Sequence, residues 1–65
     1  MFYNIEIERL RRRMSKADMA HKLDVPPNIL NAWITGQTAI PAVKLRTLSQ
    51  LFDGMSLDYL LRVDD

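Results

Sequence analysis

Residues 15–36 read SKADMAHKLDVPPNILNAWITG, and the division of this stretch decides how the whole chain folds. Ser15 stands where its hydroxyl can cap a helix, and Asp18, three residues on, completes a variant of the capping box. Met19, Ala20 and Leu23 then fall on one side, the pattern of a short amphipathic helix. Asp24 ends it in the left-handed conformation, which Gly would adopt with less strain. Pro26 forces Val25 to be extended and has no donor to lose at a helix boundary, while Pro27 suits a first helical position. A second helix therefore starts at Pro27 and runs to about Thr35. It offers Leu30, Trp33 and Ile34 for burial, and Gly36 stops it. Two short helices joined by a tight connection result.

Outward from this pair, helices account for the rest. One precedes it, from about Ile5 to Arg12 or Arg13, with Asn4 as N-cap and Glu6 and Glu8 in the first turns, where the macrodipole favours negative charge. Ile7, Leu10 and Met14 share its apolar face. After Gly36 comes a loop over 37–40. Pro41 opens a fourth helix with Leu45, Leu48, Leu51 and Phe52 as its stripe, and Asp53-Gly54 ends it. Ser56 caps a last short helix with Leu57, Leu60 and Leu61 on its inner side. Only residues 1–7 alternate like a strand, and briefly; no heptad is sustained. The expected fold is all-α, five short helices in a compact single domain over residues 1–65.

At 65 residues the chain sits near the lower limit for a core without cross-links, burying roughly 60% of its unfolded surface. It has no cysteine, which excludes disulfides and thiolate metal sites and fits a reducing cytoplasm. His21, the single histidine, has no partners for a metal and is expected on the surface. Apolar residues are scattered at helical intervals, so neither a membrane span nor a signal peptide is expected. There is no nucleophile–base arrangement, paired carboxylate cleft or glycine-rich phosphate loop. The expectation is a protein that is not an enzyme, without cofactor, metal or small-molecule substrate.

Net charge is +1, but its distribution is uneven. Arg9, Arg11, Arg12, Arg13, Lys16 and Lys22 face only Glu6, Glu8 and Asp18 in the first third of the chain. Arg62 alone stands against Asp53, Asp58, Asp64 and Asp65 at the end. Such a chain can turn its basic end to phosphate and keep its acidic end away. Charge alone equally fits an ordinary solvated surface.

Two short helices joined by a tight turn form a helix-turn-helix, which holds its second helix against the major groove of DNA. With its neighbours, the chain resembles the phage repressor/Cro-type (XRE) helix-turn-helix family from about Asn4 to Leu61. Glu8-Arg9 and Met14-Ser15 resemble the end of that family's first helix and the start of its second. Met19-Ala20 with Leu23 matches the core triplet of helix two, and Val25 the apolar residue of the turn. Leu30 and Trp33 match the buried positions of the recognition helix, followed by Gly36. Ile40-Pro41 with Leu45, Leu48 and Phe52 resembles helix four, and SLDYLL at 56–61 is similar to the ending of many members.

The resemblance implies a lambda-repressor-like fold with the helix-turn-helix at helices two and three. It also implies that Pro27, Asn28, Ile29, Asn31 and Ala32 face the groove. Lys16 would lie on the DNA backbone, flanked by Arg11, Arg12 and Arg13, with Gln37 and Thr38 in the following loop. In part the chemistry agrees. Asn can pair with adenine, while Ile, Ala and Pro can pack on thymine methyls, so A·T-rich sites are expected. Departures from the family are also visible. Helix three has no Lys or Arg, and Pro26 replaces a capping Ser or Thr. Arg13 stands where Gly is common. Ile34 stands where members often carry a glutamate that pairs with the helix-one arginine, here Arg9. Arg9 is then expected to turn outward or to find Glu6, Glu8 or a backbone carbonyl. Trp33 is expected in the core and Tyr59 packed.

The implied function is a sequence-specific transcriptional regulator binding a double-stranded DNA operator as a homodimer. The chain would be either a complete Cro-like regulator or the N-terminal domain of a longer repressor. Its apolar ends, Met1, Phe2 and Tyr3 with Tyr59 to Val63, are the expected dimer surface. The alternative is a protein-interaction module on the same scaffold, an antirepressor or antitoxin-like partner.

Overall fold

Helices alone form the regular structure of residues 1–63, the part described by this computed structural model. In order they are α1 (Tyr3–Arg11), α2 (Lys16–Lys22), α3 (Pro27–Thr35), α4 (Ala42–Leu51) and α5 (Leu57–Leu60). Asp64 and Asp65, on which part of the expected acidic end rests, lie outside the described residues.

The central pair forms as its local chemistry dictates. Ser15 Oγ accepts from the Asp18 amide at 3.0 Å, and the Ser15 amide donates to the Asp18 carboxylate at 3.3 Å, closing the capping box. Such a cap stabilises by about 1 kcal/mol. The Ser15 bonds hold the Asp18 carboxyl below its ordinary value of 3.8. Asp24 takes φ +58° at the end of α2 and Gly36 φ +83° at the end of α3, both left-handed as expected. Lys44, from α4, donates to the Leu23 carbonyl at 2.7 Å and so satisfies an acceptor that the end of α2 leaves open.

Around this pair one core closes. Met19, Ala20 and Leu23 of the second expected stripe, Leu30, Trp33 and Ile34 of the third, and Leu48, Phe52 and Leu60 are all buried. Pro41 precedes α4 as its N-cap instead of opening it, and Ser56 stands at the start of α5 without a side-chain capping bond.

α1 departs from expectation in both start and facing. The Phe2 amide donates to the Ile34 carbonyl at 2.8 Å, pinning the N-terminus to α3, and the helix begins at Tyr3. Asn4 therefore lies within the first turn and is no N-cap. Its Nδ2 donates instead to the Tyr59 carbonyl at 2.7 Å, joining α1 to α5. The inward face is Ile5, Glu8 and Arg9, whereas Ile7 and Leu10 are 45% and 61% exposed. Apolar spacing alone pointed to the wrong side because two charged residues have partners inside. Arg9 donates to Glu6 at 2.6 Å and to the Met14 carbonyl at 2.7 Å, which is how it manages without a glutamate at position 34. The solution is incomplete, since Arg9 Nε and Glu6 Oε1 are buried without a partner.

Glu8 is the hub of a second network. It accepts from Arg12 at 2.8 Å and from the Tyr59 hydroxyl at 2.9 Å, with Arg11 at 3.5 Å. The Arg12 bond first, then the Tyr59 bond, hold the Glu8 carboxyl below its ordinary value of 4.5. The same bond raises the Tyr59 phenol. A carboxyl with a depressed folded value contributes stability above its unfolded value and loses it as pH falls through the folded one. The urea midpoint is therefore expected to hold from neutrality down to about pH 4.5 and to fall below it. Glu8→Gln should flatten that fall; an equally steep fall in the variant would place the acid sensitivity elsewhere.

Candidate nucleic-acid interface

With Leu30, Trp33 and Ile34 turned inward, the 100° step of a helix leaves Asn28, Ala32 and Thr35 along the middle of the outer side of α3. Asn31 stands at one edge and Ile29 at the other. Pro27, Asn28, Ile29, Asn31 and Thr35 are exposed, and Ala32 is half-buried. Asn28, Ile29, Asn31 and Ala32 therefore share one accessible side, and Pro27, exposed at the start of α3, falls between Asn31 and the inward Ile34. Thr35 joins them and was missed by the sequence reading, although its spacing of four from Asn31 and seven from Asn28 is the signal that reveals it. Its hydroxyl donates back to the Asn31 carbonyl at 2.9 Å, which leaves its methyl and the acceptor lone pairs of Oγ1 to face a partner.

Charge reaches this side from α2. Lys16 Nζ donates to Asn31 Oδ1 at 3.0 Å, bridging fifteen positions of sequence. A helix with no Lys or Arg of its own thus carries an ammonium at its edge. At the C-terminal end of α3 the Gln37 and Thr38 amides both donate to the Ala32 carbonyl, at 2.9 and 3.4 Å, which leaves their exposed side chains to face outward.

The three consecutive arginines separate into two kinds. Arg11 and Arg13 are exposed, and Arg13 occupies a left-handed position with φ +54°. Arg12 is drawn inward: it bonds Glu8, lies 3.5 Å from Asp53, and stacks over the Phe52 ring at 4.9 Å from its centroid. The Glu8 bond raises the Arg12 guanidinium further above its ordinary range. Arg12 is thus a strut between α1 and the end of α4, although its side chain stays 26% exposed. Through it Asp53 of the acidic end meets the basic end. Arg12 and Arg13 both line a groove with Met14, Asp18, His21 and Lys22, on the outer side of α2. Trp33 is in the core and His21 on the surface, as expected. No helix among the described residues is long and apolar enough to cross a membrane.

Comparison with known proteins agrees with this geometry. A family model described as Helix-turn-helix matches residues 5–60, which takes in all of α2 to α5 and most of α1. No curated protein and no solved structure matches the chain.

Proposed function

The chain belongs to the phage repressor/Cro-type helix-turn-helix family of DNA-binding domains, and from that premise we propose that it is a sequence-specific transcriptional regulator. In this reading α3 enters the major groove of an operator. One observation carries it: the outer side of α3 is accessible along its length, offers two Asn amides and the small apolar surfaces of Ile29 and Ala32, with Pro27 exposed at its start, and has a cation at its edge. Amides suit base edges, and apolar groups suit thymine methyls. Gln37, Thr38, Arg11 and Arg13 take the backbone contacts, and Arg12 serves them by holding α1 in place.

Binding of a labelled duplex from a selected random pool, titrated against salt, tests this directly. Arg11→Ala combined with Arg13→Ala is expected to weaken all duplexes alike and to lower the slope of log K on log salt by about one to two. An unchanged slope removes these arginines from the interface.

A second copy of the chain belongs to the proposal. A two-fold pair would set its two α3 helices one DNA turn apart, about 34–36 Å. Of the apolar ends expected to pair, Phe2, Tyr59 and Leu61 are half-buried and Leu60 is inside, so they support the monomer's own fold. Met1, Tyr3 and Val63 of those ends are exposed, and Ile7 and Leu10 continue from Tyr3 along one face of α1. Sedimentation is expected to show a dimer that Ile7→Lys converts to monomer with unchanged helicity; a dimer that survives pairs elsewhere.

The same α1 row and the exposed Ile29 favour the second reading, a module that binds another protein. Salt-insensitive failure to bind any duplex is the result that selects it.

A further inference from the structure

We infer that Lys16 is a specificity-determining residue that turns Asn31 from an adenine reader into part of a guanine reader. The inference deepens the proposed DNA-binding function and rests on it.

An Asn that reads adenine needs both ends of its amide: Nδ2 donates to N7 while Oδ1 accepts from the exocyclic N6 amino group. In Asn31 one of the two Oδ1 lone pairs is already taken, and the group that takes it is a cation. Lys16 Nζ lies 3.0 Å from Oδ1, and because an ammonium only donates, the atom facing it must be the oxygen. The amide is therefore oriented with Oδ1 toward α2 and Nδ2 away from it. Both residues are exposed, so the pair stands at the surface and not within the core.

What the pair presents to a base is mainly donors, the Nδ2 hydrogens of Asn31 and the two ammonium hydrogens that Asn31 does not use, with one Oδ1 lone pair left beside the ammonium. Guanine answers with two acceptors, O6 and N7, side by side in the major groove. Adenine sets an amino group beside its N7, and that group would meet the ammonium with like polarity. Cytosine likewise shows an amino group there. The sequence suggested A·T-rich sites because α3 has no Lys or Arg of its own and offers apolar groups for thymine methyls; with Lys16 beside Asn31, one position of the site is expected to be guanine.

The measurement is selection of binding sites from a random duplex pool by the full chain, by Asn31→Ala, and by Lys16→Met, which keeps the aliphatic stem and removes the charge. In the full chain, the position that Asn31→Ala relaxes is expected to be guanine, preferred over adenine by about tenfold. In Lys16→Met that same position is expected to turn to adenine while other positions keep their preference. An adenine at the Asn31-dependent position of the full chain overturns the inference. So does a Lys16→Met protein that keeps guanine there, or one that binds all sequences more weakly without changing preference, the behaviour of a phosphate contact. If the full chain enriches no duplex, the DNA-binding reading itself falls, an outcome distinct from an altered base at one position.

Discussion

Phe52→Ala is expected to unfold the domain. The ring is fully buried at the end of α4, and it also carries the Arg12 guanidinium on its face. Removing a buried Phe costs about 3–5 kcal/mol through lost burial and the cavity left behind. A single core in a chain this small supplies about 3–5 kcal/mol in all, so nothing remains in reserve. Circular dichroism should show lost helicity at room temperature for Phe52→Ala and a cooperative but lowered melt for Phe52→Leu, which retains most of the volume. Val43→Ala, at a position 70% exposed, should melt like the parent. A Phe52→Ala protein melting within a few degrees of the parent would mean that the core is held together by other side chains.

Asn28→Glu is expected to move stability and DNA affinity in opposite directions. α3 has no acidic residue in its first turn, and its N-cap is Pro26, which makes no capping bond. A carboxylate at position 28 would therefore place negative charge at the positive end of the helix dipole and stabilise it by about 0.3–1 kcal/mol. On the accessible side of α3 the same carboxylate would replace an amide with a group that cannot donate and that phosphate repels. Affinity for the selected duplex should fall by about tenfold to a hundredfold, or about 1–3 kcal/mol. A higher melting temperature together with unchanged duplex binding would show that the start of α3 stays outside the groove.

Arg12 illustrates how far charge can be read without coordinates. Three adjacent arginines look alike in the sequence, and a phosphate clamp is the natural expectation for all of them. Their fates differ with backbone position: Arg12, at the end of α1, meets Glu8 one turn back and the Phe52 ring arriving from α4, whereas Arg11, one helical step before it, and Arg13, in the left-handed turn after it, meet mainly solvent. The sequence also missed the facing of α1. Ile7 and Leu10 have the spacing of a core stripe, yet Glu8 and Arg9 take the interior because Tyr59, Arg12, Glu6 and the Met14 carbonyl are there to pair with them.

What the amino-acid order settled by itself is local. The capping box at Ser15, the left-handed ends at Asp24 and Gly36, the abrupt start at Pro27 and the inward stripes of α2 and α3 each depend on residues within about one helical turn, where steric and hydrogen-bonding rules act without outside help. Tertiary structure decided the rest. Which charged side chains go inward, which arginine becomes a strut, where Asn4 finds its acceptor and how Lys16 reaches Asn31 all require groups far apart in the chain to meet. Whether a buried charge or an oriented amide is tolerable depends on the partner that arrives, and only the folded chain brings it.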